Sequence, residues 1–335
     1  MRCGLKPPTG VDYTMGIFTS ADGRLIATGS LKGDMIQGLA VDPDTQGEDL
    51  SAKVLTHLIN KAIETGRRTL YLFTKPESAQ KLASIGFRLI AEAKPYAALM
   101  EWGTEGIDQF VANLSKIAAA DPGEASAVVV NCNPFTLGHQ YLIETAASRS
   151  RRVYVIVVEE DQSVFPFKDR IELVRQGTAH LENVTVLAGG RYVVSTLTFP
   201  SYFTRDSEFA VAHSAMDVEL FLKYIVPALG ITRRFVGTEP FSEVTEAYNQ
   251  AMISRLIPAG VSVEVIDRKC FDSHAISASR VRRFIAEGRM EELKDHVPHS
   301  TYQYLISNRA FEVIKRLKSS DKSAHGYLED GVSKR

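Results

Sequence analysis

The sequence predicts an α/β protein in two parts, an N-terminal α+β domain followed by a doubly wound parallel-sheet domain. Three observations carry this. The first hundred residues open with alternating strands around tight turns, and residues 104–125 then close in a polar run containing Pro122 and Gly123. From residue 126 onward, continuous Val/Ile runs alternate with helical patterns. Runs without a polar face suit strands buried on both sides, as in a parallel sheet covered by helices.

Composition narrows the class. Hydrophobic residues at 44% and charged residues at 24% are the values of a globular chain in water, and 335 residues suffice for two domains with their own cores. The formal net charge of -1 exerts no pull toward nucleic acid or an anionic membrane surface. Cys3, Cys132 and Cys270 are too scattered for a disulfide framework or a metal-ligand pair. No apolar run reaches the ~18 residues of a membrane span, and the first residues lack a signal-peptide core. A cytoplasmic protein with neither nucleic acid nor membrane as partner is expected.

In chain order, "DYTMGIFTSADGRLIATGSLKGDMIQGLAV" reads as two or three antiparallel strands, with Asp22-Gly23 as a hairpin turn. Leu50, Val54, Leu55, Leu58, Ile59 and Ala62 fall at helical spacing in a segment ending at Gly66. A strand ("TLYLFTK"), a short helix ("ESAQKLASIG") and another strand ("YAALMEW") follow, then one helix within 103–126. The second part reads strand "AVVVN", a helix from Gly138, strand "VYVIVVEE", helix "FKDRIELVRQGTAHL" and strand "VTVLAG". A long helix near "AMDVELFLKYIVPALG", strand "RRFVGTEP", a helix near "VTEAYNQAMISRLI", strand "VSVEVIDR" and helices from Ser277 complete it. The expected division is 1–104, a linker helix and loop at 105–125, a catalytic domain at 126–320 and a polar tail at 321–335.

Ligands of doubly wound sheets bind beyond the carboxyl ends of the strands, where "NCNPFTLGH" lies. Gly138 permits close approach of backbone to a phosphate, the helix starting there offers unpaired N–H groups, and His139 and Thr136 can donate to phosphoryl oxygens. Alternatively this is a loop with a capping threonine and an incidental histidine. "ISASRVRRF" favours the phosphate reading. Ser277 and Ser279 can cap a helix whose first two turns carry Arg280, Arg282 and Arg283, and cations there oppose the macrodipole unless an anion sits between.

"TLGH" and "ISASRVR" resemble the T/H-x-G-H and I-S-S-T-x-x-R motifs of the nucleotidyltransferase superfamily, with Ala278 in place of the usual serine. The resemblance implies that Thr136, Gly138 and His139 meet the α- and β-phosphates of ATP, and that Ser277, Ser279 and Arg282 hold the β- and γ-phosphates. It makes His139, Thr136 and Arg282 the catalytic residues. It also implies ATP contacts from Asn133, Phe135 and Ile276, and an adenosine pocket lined by Gly237, Thr238 and Glu239. "QGLAVDPDTQGEDLSAKVLTHLINKA" and "SAQKLASIGFRLI" resemble the GCN5-related acetyltransferase fold. The order of both domains, with "NPFTLGH", "FPFKDRIELVRQGTAHL", "TFPSYF", "FVGTEPF", "YNQAM" and "ISASRVR", resembles the citrate lyase ligase family over most of residues 30–310.

That family implies an ATP-dependent ligase. Acetate becomes acetyl-adenylate with release of pyrophosphate, and the acetyl group passes to the thiol of the phosphoribosyl-dephospho-coenzyme A arm on the citrate lyase acyl carrier subunit. Mg²⁺ is expected to be held mainly by the ATP phosphates and water, with no metal site of the protein's own. Asp49 stands where the acetyltransferase motif expects Gly and is read as a helix cap, and with Glu48 and Asp44 beside it the loop is expected to bind coenzyme A weakly. The N-terminal domain is expected to be trimmed, because the chain starts near the fold's first strand without the helical segment that usually follows it. Lys168 and Arg170 are read as phosphate contacts or a solvated first turn, and Cys132 as a small buried thiol. "GGRYVVSTLTFPSYF" is read as an acetate or thiol-arm pocket, or as aromatic packing. The alternatives are an adenylyltransferase for a pantetheine- or nucleotide-phosphate with a fused accessory domain, and an acetyltransferase with an ATP-sensing domain.

Overall fold

A computed structural model describes residues 7–45, 49–160, 163–194, 199, 206–238 and 243–319, the side chains of 206–210 and 243–248 excepted. Glu239, residues 46–48, most of 195–205 and residues 321–335 lie outside the described residues. The chain divides into two compact units. One holds the described residues up to Ala120 with Val194–Ala228 and Gln250–Met252, and the other holds Asp121–Val193, Leu229–Asn249 and the described residues from Ile253.

The first unit begins with β1 (Tyr13–Phe18), β2 (Leu25–Lys32) and β3 (Met35–Val41), then α1 (Leu50–Glu64), β4 (Thr69–Thr74) and α2 (Ala79–Ala83). β5 (Arg88–Ala93), β6 (Ala97–Gly103) and α3 (Ile107–Ala119) follow. Its sheet runs β1-β2-β3-β4-β6-β5, antiparallel except where β3 meets β4. This is the expected α+β arrangement. The buried positions of α1 are the six apolar residues picked out by their spacing, and they pack under the sheet with Leu31, Ile36, Leu70 and Met100.

Asp49 corrects the cap reading. It occupies the N-cap position of α1, but its side chain makes no capping hydrogen bond and its φ of 53° is left-handed. Only its carbonyl serves the helix, accepting from Lys53 N–H at 3.0 Å. The site therefore keeps the backbone conformation that favours glycine while bearing an aspartate.

The second unit contains β7 (Ala125–Val130), α4 (Leu137–Ser148), β8 (Val153–Val157), α5 (Phe167–Thr178) and β9 (Val184–Ala188). After β9 the chain contributes α6 (Asp206–Leu220) to the first unit, where α6 packs against β5, and continues through a π-helical turn at Phe221–Ile225 and α7 (Val226–Leu229). Lys223 and Tyr224 both donate to the Ile90 carbonyl, at 2.7 and 2.8 Å. β10 (Ile231–Gly237), α8 (Glu243–Leu256) and β11 (Ser262–Ile266) lead to a hairpin of β12 (Cys270–Phe271) and β13 (His274–Ala275). α9 (Ala278–Ala286), α10 (His299–Leu305) and a last helix at 311–319 complete the described residues.

Strands β11-β10-β7-β8-β9 form one parallel sheet. β8 and β9 extend the sheet to one side of β7, whereas β10 and β11 extend it to the other. The order therefore reverses between β7 and β10, and the loops leaving those two strands flank the crevice where open α/β sheets take ligands. The Val/Ile runs of β7 and β8 are buried because α4, α5 and α9 cover them with Ile143, Leu173, Val174, Val281 and Ile285. No helix among the described residues is long and apolar enough to cross a membrane.

Candidate active site

The loop after β7 enters α4 through Thr136. Thr136 Oγ1 accepts from His139 N–H at 3.4 Å, and Thr136 N–H donates to His139 Nδ1 at 3.1 Å. This is a reciprocal capping box with histidine in the place usually held by Glu or Gln. A main-chain N–H can only donate, so Nδ1 accepts and the ring proton lies on Nε2, the nitrogen remote from the cap. Burial first, and the positive charge of Arg268 second, lower the imidazole pKa from 6.5 to about 4. His139 is thus a neutral N–H donor at pH 7, oriented by the cap it helps to form.

A folded pKa below the unfolded value means that the unfolded chain binds more protons between pH 4 and 6.5, so stability falls as pH drops through that window. The loss approaches ~3 kcal/mol below pH 4, at 1.36 kcal/mol per pKa unit. Denaturant midpoints at pH 7 and pH 4 are expected to fall further for the wild type than for His139→Gln. An equal fall in both would place the imidazole pKa near its ordinary value.

Ser277 caps α9, its Oγ accepting from Arg280 N–H at 3.2 Å. The three arginines of this helix part company. Arg280 lies over the Phe284 ring at 5.6 Å, and Arg283 reaches outward to Glu287 at 3.9 Å. Only Arg282 turns to the β7 loop, donating from Nη1 to Asn133 O at 2.5 Å and from Nη2 to Ser279 Oγ at 3.1 Å. Partial burial lowers its pKa, yet a guanidinium remains charged at any physiological pH.

The two motifs touch at Gly138. A Cβ there would stand 3.0 Å from the Ile276 carbonyl oxygen, so the glycine lets the start of α4 lie against the strand-to-helix entry of α9. Gly138→Ala is expected to preserve thermal stability, because alanine is the better helix residue by roughly 0.5–1 kcal/mol. Displacement of the motifs by a few tenths of an ångström should still slow turnover roughly tenfold. An unchanged rate would show that the contact does not set the geometry.

The remaining predicted residues occupy varied surroundings. Phe135 is fully buried and packs on Gly177 of α5, so any part in ATP binding falls to its main chain. Asn133 Oδ1 accepts from Phe165 N–H at 3.1 Å, Ile276 is buried, and Gly237 has open space around its Cα. Thr238 N–H donates to Ile266 O at 2.9 Å, which lays the turn after β10 against the end of β11. Glu239 lies outside the described residues.

Arg170 corrects the sequence reading, being neither solvated nor available to a phosphate. It is wholly buried, with Nε on Phe165 O (3.0 Å) and Nη1 on Asn131 O (2.7 Å), Asn131 Oδ1 (2.8 Å) and Val158 O (2.9 Å). Its Nη2 meets Glu160 O at 2.5 Å and the Glu160 carboxylate at 3.5 Å. The arginine binds the exits of β7 and β8 to the start of α5. Cys132 lies buried in the same loop with φ 54°, and burial pushes its thiol pKa well up, so it stays protonated. Sequence reasoning also passed over Arg268, whose Nε donates to Thr238 O at 2.7 Å.

A parallel sheet whose switch point joins two capped helix N-termini, one presenting histidine and the other arginine, defines a doubly wound domain with a candidate anion-binding crevice. The citrate lyase ligase C-terminal domain family matches residues 125–305. The [Citrate [pro-3S]-lyase] ligase of Klebsiella pneumoniae is 38% identical over 301 residues, 88% of this chain and 87% of that protein. The Escherichia coli protein of the same name is 36% identical over 304 residues, 88% and 86% of the respective chains. A bifunctional NMN adenylyltransferase/ADP ribose pyrophosphatase from Francisella tularensis, solved with AMP and manganese, aligns over 63% of this chain and 58% of its own at 13% identity and a TM-score of 0.39. The chain belongs to the citrate lyase ligase family.

Proposed function

We propose that this protein is an ATP-dependent acid–thiol ligase that acetylates, and so activates, citrate lyase, as the names of its relatives indicate. In the first step an acetate oxygen attacks the α-phosphorus of ATP. The bond to the bridging oxygen breaks, and pyrophosphate leaves with its electron pair. In the second step the thiol of the phosphoribosyl-dephospho-coenzyme A arm on the acyl carrier subunit attacks the acetyl carbonyl, and AMP departs. His139 Nε2–H serves the α-phosphate, where charge develops, and Thr136 holds the ring by donating its N–H (3.1 Å) and its hydroxyl (2.8 Å) to Nδ1, while Arg282, Ser277 and Ser279 hold the departing pyrophosphate. Gly237, Thr238 and Glu239 are assigned to the adenosine. Mg²⁺, held by the phosphates and water, completes the set.

The observation that supports this most is the approach of Gly138 to Ile276 O, which brings the histidine and arginine motifs to one crevice. An acetate carboxylate is already an anion, so the first step requires no general base. The test supplies ATP, acetate and deacetylated citrate lyase to the purified protein. AMP, pyrophosphate and restored lyase activity are expected together. Their absence would overturn the reading, and a stable dinucleotide formed from a pantetheine- or nucleotide-phosphate would point instead to an adenylyltransferase.

A further inference from the structure

Arg268 belongs to neither phosphate motif, yet the fold seats the strand exit that carries it against the turn after β10 and the entry of α9. Thr238 N–H bonds Ile266 O at 2.9 Å, and Ile276 N–H bonds Lys269 O at 3.0 Å. The exit of β11 is therefore stitched to the turn after β10 on one side and to the entry of α9 on the other. The next side chain, Lys269, places its ammonium 6.0 Å from the centre of the Tyr141 ring on α4, so this exit also borders the helix that carries His139. Arg268 itself is half-buried, and its Nε–Thr238 O bond of 2.7 Å fixes the plane of the guanidinium. Its charge is close enough to depress the basicity of the His139 ring.

A planar, permanently charged fork beside a neutral histidine donor matches a phosphate oxygen pair. We propose that Arg268 is a further catalytic residue, taking the α-phosphate beside His139 while Arg282 takes the departing pyrophosphate. The assignment rests on the adenylation reading above and adds a division of labour to it. Arg268 stays with the phosphate that becomes AMP, whereas Arg282 releases the pyrophosphate it holds. As the bond to the bridging oxygen breaks, the non-bridging oxygens of the α-phosphate remain neutralised by a group that does not move.

AMP and inorganic pyrophosphate separate the two arginines. In calorimetric titrations Arg268→Gln is expected to weaken AMP about 10- to 100-fold, the range for loss of a charge-assisted hydrogen bond, with pyrophosphate changed by less than about threefold. Arg282→Gln should give the reverse. In acetate-dependent ATP–pyrophosphate exchange, Arg268→Gln should lower kcat about 10²-fold. Arg268→Lys should regain at least about tenfold of that, since it returns the charge without the bond to Thr238. Unchanged AMP affinity in Arg268→Gln overturns the proposal. A lysine variant as poor as the glutamine one also overturns it, by assigning Arg268 to support of the 237–238 turn alone. If the wild type shows no acetate-dependent exchange but the AMP and pyrophosphate effects cross over as stated, the acetate reading fails and the phosphate assignment stands.

Discussion

His139→Ala is expected to lower turnover with ATP and acetate by about 10²–10³, the loss for one donor aimed at developing charge. The fall should appear in kcat more than in the KM for ATP, because the bond to Nε2–H strengthens as charge builds in the transition state. Two consequences are mixed in that variant, since alanine also removes half of the capping box and costs about 1 kcal/mol of stability. His139→Glu separates them. A glutamate at this position can accept from Thr136 N–H as the usual capping box does, so stability should match or exceed that of the wild type. It carries no donor and repels phosphate, so the rate should fall at least as far as in alanine. Thermal melts with pyrophosphate-release rates on both variants check this. If the glutamate variant turns over near the wild-type rate, His139 is a cap and nothing more.

What could be foreseen divides by the range over which each signal acts. The strands of the parallel sheet announced themselves through unbroken Val/Ile runs, and α1 through its apolar spacing, because burial on one or two faces writes a local period into the chain. The Thr136 cap and the Ser277 cap were equally local, each spanning three residues. Arg282 stood apart from Arg280 and Arg283 only once α9 was placed, since the three share one helix and one side-chain type. Arg268 had no local mark at all, being one basic residue in the polar exit of a strand. The β12–β13 hairpin was missed for a related reason: "CFDSHA" has neither length nor alternation, and its turn places Asp272 and Ser273 at φ 48° and 61° without a glycine to signal it. Asp49 misled through composition, because an acidic residue before a helix normally caps it and here the backbone conformation prevents that.

Arg170 shows the largest gap between sequence and fold, and it carries the second large expected effect. At the first turn of α5, among Lys168 and Asp169, its position has the pattern of a solvated helix start. Its partners lie 39 residues back at Asn131, 12 back at Val158 and 10 back at Glu160, beyond the reach of any periodic signal. Arg170→Met would preserve volume and apolar packing but strip its hydrogen bonds from four carbonyl oxygens and the Asn131 amide, and would leave the buried Glu160 without its charge partner. Breaking such a pair from one side costs about 3–5 kcal/mol, enough to remove much of the stability of an ordinary domain. In Glu160→Gln the guanidinium keeps the carbonyl oxygens of Phe165, Asn131, Val158 and residue 160, so that change should cost distinctly less. Urea unfolding of the two variants tests the order, and a loss below about 1 kcal/mol for Arg170→Met would place the arginine among surface residues. The same network reaches the candidate site, because Arg170 holds Asn131 by both its carbonyl and its side chain, and Asn133, two residues on, accepts from Arg282. Where Arg170→Met still folds at low temperature, its weakened hold on this loop should therefore also slow pyrophosphate release, although no atom of residue 170 meets the substrate.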